Sequence, residues 1–135
     1  MSVVDFLMQL DAEKLAEVPT KEVRVKSLSE KAGQDVTVTV KALPGRKLTE
    51  LTGLAMKDGE VDIKRAFDAN LLIVTNGLME PDVKNKDLQE HFGAASPKDL
   101  TEKLFNGGEI MNLADEIRKL SGYDEEDKVD EEIKN

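Results

Sequence analysis

A single histidine, His91, carries whatever acid–base or metal chemistry an imidazole could bring to this chain of 135 residues. On a helix Asp87 lies one turn before it, with Glu90 beside it, so a two-ligand site is geometrically available. Two weak ligands do not select a metal, and no second histidine can join them. His91 therefore reads as a structural side chain. The Asp58-Gly59 pair in KDGEVD invites comparison with a calcium loop, which needs oxygen ligands at loop positions 1, 3 and 5, Gly at 6 and Glu at 12. With Gly59 at the glycine position, Leu54 and Met56 stand where ligands belong and Arg65 replaces the final Glu. The pair reads as a turn.

Nucleophilic and phosphate chemistry fare no better. GRKLT lacks the earlier glycine and the Lys-Ser/Thr pair of a phosphate loop. There is no G-x-S-x-G, and the serines at 2, 27, 29, 96 and 121 fall at turn or cap positions, where serine belongs for local reasons. Carboxylates are plentiful but lie in solvated charge runs, which leaves paired acid/base work without support. Four Phe, one Tyr and no Trp supply little for base stacking or a sugar site. No enzyme is expected, and no cofactor or metal.

The net charge is −9, and the final segment DEEDKVDEEIKN, residues 124–135, holds −5 of it. Its low apolar content predicts a solvated, disordered acidic tail following a single domain over 1–123. A mildly acidic body argues against nucleic acid, which is bound by clustered Lys and Arg, and against anionic membrane surfaces. The longest apolar run, Leu71 to Val74, is too short to span a bilayer. MSVVDFLMQLD has no basic start, so no secretory signal is expected. With no cysteine in the chain, disulfides and thiolate metal sites drop out, and a cytoplasmic location fits.

The elements follow from periodicity. Ser2 and Asp11 can cap two short helical pieces over Ser2 to Val18, with Phe6, Leu7, Leu10 and Leu15 as the apolar side. Val23 and Val25, then Val36, Val38 and Val40, alternate with polar residues and predict two strands. SLSEKAGQD between them predicts the loop of an antiparallel hairpin, residues 21–42, whose valine face must lie on helices. A helix follows over Lys47 to Met56, then a turn at 57–60, then a helix capped by Asp62. Residues 69–76 read as the end of that helix or as a short strand, with helix favoured.

Farther on, Asn85 opens a short helix, and Ser96-Pro97-Lys98-Asp99 starts another through Leu100, Leu104 and Phe105. Asn106 to Tyr123 is a helix with a capping box at Asn106 and Glu109 and a glycine stop at Gly122. Its stripe is Ile110, Leu113, Ala114, Ile117 and Leu120. The methionines at 8, 56, 79 and 111 fit either a core or an adaptable contact surface, with core favoured for each. These patterns predict an α+β fold, mostly helical, with a small hairpin.

The run EPDVKNKDLQEHFGAASPKDLTEKLFNGGEIMNLADEIRKLSGY carries a family likeness. Glu80-Pro81-Asp82, the helix end at His91-Phe92-Gly93, the Ser96-Pro97 start, Gly108-Glu109-Ile110 and Leu120-Ser121-Gly122-Tyr123 together resemble phage tail assembly chaperones of the XkdN type. Asn106-Gly107 departs from that pattern, where a proline is expected before Gly-Glu. The resemblance implies a non-catalytic chaperone that binds the tape measure protein, keeps it soluble and assists tail tube assembly, with the tail tube protein as a further partner. It also implies absence from the mature particle, and in many members a longer frameshifted form. The alternative is a structural tail or baseplate component retained in the particle. For client binding the expected surface is an apolar groove of Phe105, Met111, Leu113 and Ile117, each of which could instead be core.

Overall fold

The computed structural model describes residues 2–123, and the predicted acidic tail lies outside the described residues. In chain order the first elements are α1 (Val3–Met8), α2 (Ala12–Leu15), β1 (Thr20–Arg24), α3 (Lys26–Ala32), β2 (Thr37–Lys41) and α4 (Gly45–Gly53). They are followed by β3 (Met56–Lys57), β4 (Glu60–Val61), α5 (Ile63–Gly77) and β5 (Leu78–Glu80). The last helices are α6 (Lys86–His91), α7 (Pro97–Leu104) and α8 (Gly107–Leu120). The architecture is α+β and mostly helical, with a small antiparallel sheet.

Alternation in VTVTVK makes β2 the central strand. Val38 and Val40 turn to the core and are fully buried, while Thr37, Thr39 and Lys41 line the other face. β1 pairs with it antiparallel, Val23 opposite Val38. Lys21, Glu22 and Arg24 keep β1 polar, as suits an edge strand. On the other side β5 adds a third strand, placing Leu78 opposite Val40 and Glu80 opposite Thr39, with an irregularity between. Its three residues are too few for a period to show in the sequence.

The segment expected as a hairpin loop is instead α3. Ser29 turns inward, where its hydroxyl accepts the Val36 N–H at 2.9 Å. Gly33 ends the helix at φ 70°, its N–H donating to the Ser29 carbonyl. The strand pair remains antiparallel but is joined through a helix. Asp58-Gly59, by contrast, is the turn expected of it. Both residues have positive φ, 54° and 82°, which is the primed turn that closes the two-residue strands β3 and β4.

Helix α5 is the floor of the molecule. Asp62 caps it by accepting the Arg65 N–H, and the helix runs unbroken to Gly77, which makes 69–76 helical. Leu71, Ile73 and Val74 are fully buried. Helix α8 lies across α5 and the sheet through Ile110, Leu113, Ala114 and Ile117. The two helices come so close that a Cβ on Gly77 would sit 2.5 Å from Ile117 Cδ1. Helix α7 joins from the far side with Leu100 and Thr101, and Thr75 and Thr101 bring their hydroxyls to 3.1 Å.

The α8 start is tied down twice. Asn106 and Glu109 form the capping box, with bonds of 2.9 and 3.0 Å. Glu109 also accepts the Ser27 N–H at 3.0 Å and the Ser27 hydroxyl at 2.7 Å, which fixes α8 to the beginning of α3. Partial burial alone would raise the Glu109 carboxyl. The bonds from Ser27 and Asn106, with Lys31 nearby, outweigh it and hold the group below its ordinary value of 4.5.

One expectation about apolar residues, a core place for the methionines, is overturned. Phe6, Leu7, Leu10 and Leu15, the apolar side of the first segment, are all exposed, and α1 and α2 bury nothing. Helices of six and four residues joined to the body at one end have no core surface within their own span. Ser2 and Asp5 do form a capping box, whereas Asp11 makes no side-chain cap bond. The methionines at 8, 56, 79 and 111 are all exposed as well. Met79 alternates with inward Leu78, Met111 lies off the buried α8 stripe, and Met8 and Met56 sit on segments without a core face.

Gly77→Ala is expected to destabilise the fold by about 1–3 kcal/mol, because the new methyl must displace a packed Ile117. Adding Ile117→Val should recover part of that loss in urea melts. Full additivity of the two changes would contradict the contact. Glu109→Gln is expected to cost about 1 kcal/mol at neutral pH. A carboxyl depressed in the folded state stabilises above its unfolded pKa, and that contribution is lost as pH falls through the folded pKa. The gap between wild type and variant should therefore close in acid, as denaturation midpoints taken from pH 7 to below 4.5 would reveal.

Candidate functional site

A groove of about 760 Å³ opens between α4, α8 and the β3–β4 ribbon. Its size falls in the range of built binding clefts. Helix α4 starts directly after Pro44, and its apolar spacing turns Leu48 and Leu51 to the core, with Leu48 also reaching the groove wall. Thr49, Thr52 and Gly53 present the next face of the same helix to the groove. The ribbon supplies Met56 and Val61, which are cross-strand partners on a two-residue hairpin too short to have an interior. Both are exposed, as is Leu54 at the end of α4.

The opposite wall is polar. Asp115, Arg118 and Lys119 of α8 line it, and Tyr123 stands at the end. Arg118 donates to Asp115 at 3.0 Å and also to the Asn70 side chain, so its guanidinium is held in place against α5. Lys119 is exposed and makes no ion pair among the described residues. An apolar floor and ribbon facing a charged helix wall suits an amphipathic segment of another chain. No nucleophile–base pair stands in it.

The residues expected to form the binding groove do not form an open surface. Phe105 is 4% exposed, Leu113 1% and Ile117 0%; all three belong to the core. Met111 alone is exposed, at 58%. The reason is helical phase. Leu113 and Ile117 share the stripe of Ile110 and Ala114 that faces α5, and one residue of offset carries Met111 off it. Leu48, Thr52, Met56, Val61 and Tyr123 were not singled out for binding by sequence reasoning. The available signal was the pair of apolar residues flanking Asp58-Gly59, on a turn with no room for a core of its own.

His91 and Asp87 share a second, more open cleft of about 500 Å³ with Glu80, Asp82 and Asn85. The His91 ring stacks edge-on against Phe92, with centroids 4.7 Å apart. Among the described residues no group of three or more His, Asp or Glu is placed to hold a metal ion. No described helix is long and apolar enough to cross a membrane.

Comparison with known proteins decides among binding modules. The profile of the phage XkdN-like tail assembly chaperone family matches residues 4–134. This chain belongs to that family. Membership implies a role in assembly rather than catalysis, and partners among phage proteins. A crystal structure of the protein yqbn is similar to this XkdN-like chain with a TM-score of 0.54 and 24% identity. The match covers 80% of this chain and 90% of that one, and it speaks to the fold. No curated protein is similar enough to this chain to count as a match.

The burial pattern makes a sharp prediction for the XkdN-like domain. Met111→Glu should leave the melting temperature close to wild type, within about 0.5 kcal/mol, as exposed sites do. Leu113→Ala should cost about 2–5 kcal/mol by opening a cavity. Equal losses from the two, measured by thermal unfolding, would be incompatible with this helical phase.

Proposed function

We propose that this chaperone binds the tape measure protein through the groove between α4, α8 and the β3–β4 ribbon. The bound form of the client is an amphipathic helix whose apolar stripe lies on Met56, Val61 and the α4 wall. The observation that carries the reading is the exposure of Met56, Val61 and Tyr123 around one groove in a chain of this family. A long helical client with uncovered stripes aggregates, and a cover that adapts and releases prevents it. Methionine suits such a surface, because its unbranched thioether repacks against different partners.

The chaperone acts in the host cytoplasm, presents the client to tail tube subunits and leaves before the particle is complete. No bond is made or broken in this role. The net charge of −9 favours keeping the loaded complex dispersed.

Co-expression with the tape measure protein of the same phage tests the proposal. The wild type is expected to hold the client in the soluble fraction and to co-purify with it. Met56→Glu with Val61→Glu should reduce recovery at least roughly tenfold, the effect of about 1.4 kcal/mol, while the chaperone itself stays folded. Met111→Glu should bind as wild type. Loss of binding by Met111→Glu alone would move the client to the other face of α8. Finding the chain by mass spectrometry in finished, purified tails would replace the chaperone reading with that of a structural component.

A further inference from the structure

The segment Ser2–Val18 is an arm whose apolar side chains are exposed. Val3, Val4, Phe6, Leu7, Met8, Leu10, Leu15 and Val18 are all exposed; Met8 reaches 80% and Leu15 73%. So dense a run of exposed apolar side chains marks a contact surface. The groove described above is the complementary feature, an apolar cleft. Three observations connect the two.

The first is where the arm begins. The Ala42 N–H donates to the Pro19 carbonyl at 3.0 Å, so the arm leaves the body beside Ala42. Two residues on, Pro44 opens α4, and the Leu43 N–H donates to the Ser121 hydroxyl at 2.9 Å, next to the end of α8. The Tyr123 hydroxyl, at the groove's end, would lie 3.6 Å from a Cβ on Gly45. The arm is thus rooted where both walls of the groove meet.

The second is reach. The wall provided by α4 is nine residues, about 13 Å along its axis. Thirteen residues separate Pro19 from Phe6, and two short helices with extended joints cover that distance with length to spare. The third is charge. Asp5, Asp11, Glu13 and Glu17 against Lys14 give the arm's side chains −3, whereas the groove's wall presents Arg118, bonded to the one acid Asp115, and Lys119, which makes no ion pair among the described residues.

We infer that the N-terminal arm folds back into the groove of its own chain and covers it when no client is present. In that state Phe6, Leu7 and Leu10 lie against Met56 and Val61, and the arm's acids face Lys119. The arm is a stand-in for the client. Its displacement by the client rests on the proposed function, but its docking does not. An occupied groove weakens apparent client affinity in proportion to the free fraction, so nine-tenths occupancy costs roughly tenfold.

The chain has no cysteine, so an engineered pair is unambiguous. Leu7→Cys with Val61→Cys changes two exposed positions. Mild oxidation of the purified full chain at micromolar concentration is expected to give a cross-linked monomer, seen on a non-reducing gel and by intact mass, with a yield independent of dilution. Leu7→Cys with Thr37→Cys, on the outer face of the sheet, is the control and should not form the bond. Cross-linked dimers that vanish on dilution would assign the arm to a second copy. Failure to cross-link, or equal yield from the control pair, would leave the arm without this role. Either result overturns the inference. Phe6→Glu with Leu10→Glu should abolish the intramolecular bond and, in the separate client assay, strengthen tape measure binding roughly tenfold. An intact cross-link with no client binding by any variant would retain the docked arm and reject the proposed function.

Discussion

The seat of Ile117 on Gly77 sets the spacing of the molecule's two longest helices. With no side chain at Gly77, the end of α5 lets the last turn of α8 approach until the isoleucine fills the space a Cβ would take. Close packing leaves no slack at such a point, since interiors are as dense as organic crystals. The stripe of α8 then meets both α5 and the valine face of β2, and one core holds helix and sheet together. The Asn106–Glu109 box and the Ser27 bonds to Glu109 fix the other end of α8, so its rotation and its position are both determined.

The groove follows from this arrangement. Helix α4 is tied to α5 by Leu48 and Leu51, and α8 is tied to α5 by its own stripe. Two helices that share one floor leave a valley between them, and the β3–β4 ribbon closes only part of it. A two-residue strand pair has no interior in which to hide Met56 and Val61, so they stand at the edge of the valley. Core and groove rim are therefore built from different residues. The core is mostly branched Leu, Ile and Val, and all four methionines described lie outside it.

Separation of that kind suits an assembly chaperone. A cover for a client helix must form and come off, and adaptable side chains on a rigid frame give contact without locking the partner in one geometry. The ribbon and the N-terminal arm contribute nothing to the core.

Much of the fold is legible in the residues themselves. The capping box at Asn106 and Glu109, the Ser96-Pro97 helix start, the Asp62 cap and the Asp58-Gly59 turn are local devices, decided within four residues of chain, and each is found where its sequence places it. The α8 stripe and the valine alternation of β2 name the core in the same way. The family pattern over 80–123 is also carried by short stretches of sequence. Tertiary structure alone decided the rest. Ser29 makes α3 a helix by bonding to Val36, a partner seven residues away, and β5 exists because β2 was there to pair with it. Whether an apolar residue is buried depends on what lies opposite. Phe105, Leu113 and Ile117 look like Met56, Val61 and Phe6 in a hydropathy pattern, and only the elements packed around the first three separate core from exposed surface.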